Sequence, residues 1–204
     1  MRKVVVREFC EIIEDPIPLA ASENKIVQHD DLPTVTDELS VTLRLKVKSI
    51  GSASFLKCKL TLFKLNKIHA PLGTEHYIRT PSLWLCPNKT TMHARFSGNW
   101  NRNVGIGETA TQLSLNKWHH ISYTLSDLEK RLDLYIDCSW VGYYGIQNVQ
   151  TQNVLFNTGP LHIGLAYDGK LTGITGEISN FRYFNWRLTA EEVENNFLKQ
   201  GVFK

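Results

Sequence analysis

Apolar and polar side chains alternate with a period of two along much of this chain, the pattern of strands with one dry and one wet face. In "SVTLRLKVKS", Val41, Leu43, Leu45 and Val47 fall on one side, and Thr42, Arg44, Lys46 and Lys48 on the other. In "RLDLYID", Leu132, Leu134 and Ile136 oppose Asp133, Tyr135 and Asp137. "TMHARF" groups Met92, Ala94 and Phe96, and "LHIGL" groups Leu161, Ile163 and Leu165. Clusters of turn-forming residues, "IGSA", "APLG", "CPNK", "FNTGP" and "YDGK", separate these runs. Many short strands with frequent turns predict an all-β fold, an antiparallel sandwich. Within "GEISNFRYF", Ile178 is out of phase with Phe181 and Tyr183, so a bulge near Ser179 and Asn180 is expected.

The period changes once. In "LTAEEVENNF", Thr189 stands three residues before Glu192, the arrangement of a capping box. Glu191 and Glu192 lie in the first turn, where negative charge favours the helix dipole. Val193 and Phe197, four apart, make an apolar stripe, so one C-terminal helix of about three turns is predicted before Gly201. The opening "MRKVVVREFCEIIEDP" reads as a strand, because Arg7, Glu8 and Glu11 interrupt any signal-peptide core. The polar, Pro-containing stretch "IIEDPIPLAASENKIVQHDDLPTVTDE" reads as a connection wrapping the sandwich.

Composition narrows the function classes. The 204 residues, 42 % hydrophobic and 10 % aromatic, suffice for a sizeable core and favour a single domain over 1–204. A net charge of +3 with no recognition motif gives no reason to expect nucleic acid. No apolar run is long enough to insert in a membrane. With no signal peptide in view, a cytoplasmic location is favoured over a secreted one. Cys10, Cys58, Cys86 and Cys138 form no C-x-x-C pair, and free thiols are expected.

Several spaced elements resemble the laminin G-like and pentraxin-like branch of the concanavalin A-like lectin/glucanase jelly rolls. They are Trp118 and His119, Tyr135 to Asp137, Leu161 to Gly164, Gly176 with Ile178, Arg182 to Phe184, and Thr189 to Glu192. The resemblance is strongest over 33–197. It implies a jelly-roll fold and, as function, a non-catalytic binding module with a carbohydrate ligand. The alternative is a protein–protein interaction module of a larger assembly or longer polypeptide. Calcium is a cofactor of some members, and Asp168 in "AYDGK" is the candidate ligand here, with a turn aspartate as its plainer role. At position 138 this chain has Cys where the family tends to have Gly, so the turn after "YID" must change or accept strain.

Hydrolase chemistry fits poorly. Asp133 and Asp137 share a face but stand about 13 Å apart at ~3.3 Å per residue. Glycosidases need roughly 5 to 9.5 Å between their two carboxyl groups. Glu177 is a lone carboxylate, and the adjacent His119 and His120 point to opposite faces of a strand, too divergent to chelate one ion. If "IGSA" turns a hairpin, Arg44, Lys46 and Lys48 lie beside Lys57 and Lys59 as a basic face. The candidate ligand site is "FSGNWNRNVGIG", with Asn99, Trp100, Asn101 and Asn103, joined by Trp140, Tyr143 and Tyr144 of "SWVGYYG". Flat aromatic faces with fixed amides suit a sugar or a protein epitope. The competing reading makes Trp100 a lid over the sheet end, with Asn and Gly as turn formers at positive φ.

Overall fold

The computed structural model describes residues 6–19, 25–49, 59–64, 66–69, 75–86, 89–164 and 174–198. Its strands are β1 (Phe9–Ile13), β2 (Ile17–Leu19), β3 (Lys25–Val27), β4 (Glu38–Ser49), β5 (Lys59–Lys64), β6 (Asn66–His69), β7 (Glu75–Ile78) and β8 (Ser82–Leu85), followed by β9 (Met92–Phe96), β10 (Val104–Ile106), β11 (Trp118–Ser126), β12 (Arg131–Ile136), β13 (Ser139–Gly145), β14 (Leu161–Ile163) and β15 (Thr175–Phe184). One helix, α1 (Ala190–Phe197), follows. A seven-stranded antiparallel sheet runs β1-β15-β4-β11-β12-β13, with β2 also on β15. A six-stranded sheet runs β10-β9-β8-β5-β14-β3, and β6 pairs with β7 separately. This is the antiparallel sandwich that the alternation predicts and the jelly roll that the family resemblance implies. The connection rich in proline contributes β2 to one sheet and β3 to the other.

The inner faces meet in one core. Leu39, Val41, Leu43, Leu45 and Val47 of β4 pack with Met92, Ala94 and Phe96 of β9 and with Leu132, Leu134 and Ile136 of β12. The bulge in β15 is present: Ser179 pairs with Arg44 but Arg182 with Thr42, leaving one extra residue. Asn180 takes a φ of 47° there, and Ile178, Phe181 and Tyr183 all reach the core. At Gly176 the two strands come so close that a Cβ would lie 2.2 Å from the Lys46 carbonyl oxygen, so only glycine fits.

The outer face of the large sheet is drier than alternation suggests. Thr42, Asp133 and Tyr135, read from the sequence as solvent-facing, are buried. The chain after β15 covers them: Phe184, Trp186, Leu188 and Val193 form a second apolar cluster with Tyr135. Helix α1 anchors this layer. The Thr189 hydroxyl accepts from the Glu192 amide, and the Glu192 carboxylate accepts from the Thr189 amide, completing the capping box. The helix has eight described residues, shorter than three turns, and residues 199–204 lie outside the described set.

The expected basic face does not form as drawn. Strand β4 lies between β15 and β11, whereas β5 belongs to the other sheet, between β8 and β14. Sequence neighbours in a jelly roll need not pair. Lys57 lies outside the described residues. Lys46 and Lys48 instead flank Glu177 at 2.9 and 3.0 Å, and their hydrogen bonds hold its carboxyl below the usual range.

Between β12 and β13 the chain turns through Asp137 (φ 49°) and Cys138 (φ 57°), the two left-handed positions of a type I′ hairpin. The turn is therefore kept, with strain at Cys138 in place of glycine. Cys10, Cys86 and Cys138 are free thiols. Cys138→Gly is expected to be neutral or stabilising by up to about 1 kcal/mol in urea melts, since glycine accepts positive φ without cost. A loss above ~1 kcal/mol would assign the thiol a packing role.

Candidate functional site

The structure divides the predicted site residues between two faces. Trp100 is half-buried and packs against the core, edge-to-face on Phe96 with ring centroids 6.2 Å apart. Its indole lies over Gly98 so closely that a Cβ there would fall 2.3 Å from the ring. Tyr144 packs on the same Phe96 ring, at 5.8 Å. Trp100 and Tyr144 thus share an inward-facing contact.

The asparagines hold the loop. The Asn99 side chain donates to Thr151 O (2.9 Å) and accepts from Asn153 N (3.0 Å). The Asn101 side chain accepts from Asn103 N (2.9 Å), and the Asn101 carbonyl from Gly98 N (2.8 Å). Asn103 is exposed, and its carbonyl accepts from Arg95. These asparagines act through their hydrogen bonds, because in this stretch only Gly105 has positive φ. The geometry is that of a lid. Trp100→Ala is expected to cost about 2 kcal/mol in a thermal or urea melt, roughly half the value for a fully buried tryptophan. A change below ~0.5 kcal/mol would restore the exposed-platform reading.

Trp140 and Tyr143 point the other way. They are 51 % and 56 % exposed and stack on each other, with centroids 5.6 Å apart and planes 23° from parallel. Residues three apart on a regular strand face opposite sides. Here Leu134 pairs with Gly142 and Tyr135 with Trp140, so Val141 is an extra residue and both rings emerge on the outer face.

A buried carboxylate fixes this pair from beneath. Asp133 is fully buried and accepts from Trp140 Nε1 (2.8 Å), Arg131 Nε (2.8 Å) and Arg187 (2.7 Å). Glu129 adds an ion pair to Arg187 at 2.9 Å. Burial alone would raise the Asp133 pKa, but the hydrogen bonds from Arg131, Arg187 and Trp140 outweigh it and keep the carboxyl below its ordinary value. The Arg131 guanidinium also lies 4.7 Å from the Tyr143 ring centroid and 6.0 Å from that of Trp140. Arg131 and Asp133, two apart on β12, were legible as a same-face pair, whereas Arg187 comes from beyond β15 and gave no local signal.

The histidines are structural in their contacts. His119 Nδ1 donates to Asp137 (2.7 Å), and its Nε2 accepts from Ser114 N (3.0 Å). His120, on the opposite face, meets Asn196 Oδ1 of α1 at 3.0 Å and the Phe197 ring at 5.6 Å. Among the described residues no three His, Cys, Asp or Glu side chains converge as metal ligands. Asp168 lies outside the described residues.

A two-sheet jelly roll carrying these elements in this order defines a class of sandwich modules. The sequence profile of the concanavalin A-like lectin/glucanases superfamily matches residues 23–194, and the chain belongs to that superfamily. No curated protein matches the chain in sequence. Among solved structures, it resembles the receptor-binding domain of botulinum neurotoxin D with a TM-score of 0.63 at 13 % identity, covering 97 % of this chain and 48 % of that one. It resembles a heptameric SAP-like pentraxin from Limulus polyphemus with a TM-score of 0.55 at 15 % identity, covering 99 % and 86 %. A Trypanosoma rangeli sialidase in complex with 2,3-difluorosialic acid matches with a TM-score of 0.55 at 15 % identity, covering 81 % of this chain and only 23 % of the sialidase. The chain therefore spans about a quarter of the length of the sialidases it matches. At these identities the likeness concerns the fold. Among the described residues no helix is long and apolar enough to cross a membrane.

Proposed function

We propose that this chain is a non-catalytic binding module whose ligand is a carbohydrate. The observation that carries the reading is the exposed Trp140–Tyr143 stack, anchored through Trp140 Nε1 to buried Asp133. A sugar ring presents apolar C–H faces to such rings and hydroxyls to the flanking Arg131 and Tyr143. Because both rings are already fixed, little side-chain entropy remains to be lost on binding. The absence of catalysis is supported by the occupation of the two β12-side acids. Asp133 is held by two arginines and an indole, and Asp137 by His119 and the His120 amide. The resemblance to lectin-bearing folds adds the sugar class to this geometry.

A second reading, protein recognition, is favoured by the composition of the same surface, since Trp, Tyr and Arg are the residues enriched at binding hot spots. A glycan array probed with and without calcium separates the two. Binding that Trp140→Ala weakens by about 1 to 3 kcal/mol, roughly fivefold to 150-fold, supports the lectin reading. The same variant also removes one of the donors to buried Asp133, so a stability loss of about 1 to 2 kcal/mol is expected, and binding is compared at a temperature where both proteins are folded. A silent array, or glycan binding unchanged in Trp140→Ala, would overturn the platform and leave protein recognition. A calcium requirement would direct attention to Asp168.

A further inference from the structure

A second concavity opens on the outer face of the large sheet, beside the β15 bulge. This cleft of about 320 Å³ is lined by Glu14, Asp15, Arg44, Trp118, Ser179 and Asn180. Its walls are built by strand pairing. Trp118 faces Lys46 across β11 and β4, and Arg44 lies opposite Ser179 across β4 and β15. Asn180, the bulge residue, is held at a φ of 47° and donates its amide to the Glu14 carbonyl at 3.1 Å. Asparagine tolerates this left-handed conformation better than most non-glycine residues, so the bulge is held in one geometry at the cleft wall.

Within the cleft the Ser179 hydroxyl donates to the Asn180 side-chain oxygen at 3.3 Å, but the charged side chains do not pair with one another. Glu14 and Asp15 are exposed, and neither carboxylate has a side-chain partner among the described residues. The half-buried Arg44 makes one hydrogen bond, to the Phe197 carbonyl at 3.3 Å, and no ion pair among the described residues. Two carboxylates that only accept and a guanidinium that only donates therefore line one concavity without meeting. Trp118 supplies an aromatic wall, with Lys46 Nζ 5.7 Å from its ring centroid.

These features select a ligand class. Arg44 disfavours a bare cation, and the two carboxylates disfavour an anion. A hydroxyl, which donates to a carboxylate and accepts from a guanidinium at once, satisfies both walls. A ring carrying several hydroxyls, with an apolar face against Trp118, satisfies all three. We propose that the Arg44–Trp118–Asn180 cleft is a second carbohydrate subsite, which takes one uncharged sugar unit and lies on the same sheet face as the Trp140–Tyr143 stack. This rests on the carbohydrate reading above, and it adds a site, a charge class and a ligand size to it.

Indole N–H resonances of the ¹⁵N-labelled chain test it, with Trp118 and Trp140 assigned by Trp→Phe variants. The probes are the methyl glycosides of glucose, galactose and mannose, and N-acetylglucosamine, with inorganic phosphate and tetramethylammonium as charged controls. Titration to roughly 50 mM registers even a site with a Kd of ~10 mM. The expected result is saturable movement of the Trp118 resonance with at least one sugar and with neither control. Asp15→Asn and Glu14→Gln, at exposed unpaired positions that should leave the melt unchanged, are expected to weaken that binding at least threefold each. No movement of Trp118 with any sugar, movement with a charged control alone, or a sugar response untouched by both substitutions would overturn the subsite. Movement confined to Trp140 would overturn the subsite while sustaining the lectin reading; silence at both indoles together with a silent array would remove both.

Discussion

Asp133→Ala is expected to lower the unfolding free energy by about 3 to 4 kcal/mol in urea melts. The reason is the asymmetry of buried ion pairs, in which removal of one partner leaves the other charge desolvated and uncompensated. Arg187 is the group at risk. Its side chain is 16 % exposed, and without Asp133 its remaining ionic partner is Glu129. Arg131, at 41 % exposed, can turn to water. Trp140 would lose its tether at the same time, so any ligand affinity should fall along with stability. Asp133→Asn keeps an acceptor for the Trp140 indole and should lose less. A change below about 1 kcal/mol for Asp133→Ala would mean that the arginines find other partners and that the carboxylate is not the organising group.

Acid should weaken the attachment of α1 through His120. Burial, reinforced by Arg44 and Arg182, pushes its pKa from 6.5 down to about 4, against the opposing pull of Asn196 and Asp137. The unfolded chain therefore binds this proton more readily than the folded one, and stability falls as pH drops from 6.5 towards 4. Above 6.5 the contribution is fully present, and below about 4 it changes no further. At about 1.4 kcal/mol per unit of pKa, the loss across the window is roughly 3 kcal/mol. His120→Gln removes the titration while keeping a polar side chain, so its stability should fall by that much less between pH 7 and 4. His93 and His162, whose pKa values are also lowered chiefly by burial, remain in both proteins and drop out of the comparison. Equal pH slopes for the variant and the wild type would show that His120 is protonated without cost. Helix content should fall in the same window if the acid effect acts by releasing α1.

The strands were legible because alternation is a direct imprint of a two-faced sheet, and β4, β9 and β12 bury the predicted inner residues. The bulge at Asn180 was legible for the same reason, since a break in phase can be counted. Alternation does not reveal whether a second layer covers the outer face. Asp133 and Tyr135 therefore read as wet, although Phe184, Trp186, Leu188 and Val193 pack over that side. Pairing of β4 with β5 was a natural guess from adjacency, but these two strands lie in different sheets. The candidate site was half legible. Its residue types were apparent, but parity was not, because the Val141 bulge sends Trp140 and Tyr143 outward while Tyr144 turns in to Phe96.

That bulge also bears on solubility. Among the described residues β13 is the last strand of its sheet, and no strand pairs with its outer edge. A straight edge strand carrying two exposed aromatics would be a template on which another copy could add a strand and begin to aggregate. The extra residue at Val141 kinks the strand, so an incoming strand cannot stay in register along its length. The distortion that gathers the aromatic rings on one face thus lets the protein display them in water with its strand edge guarded.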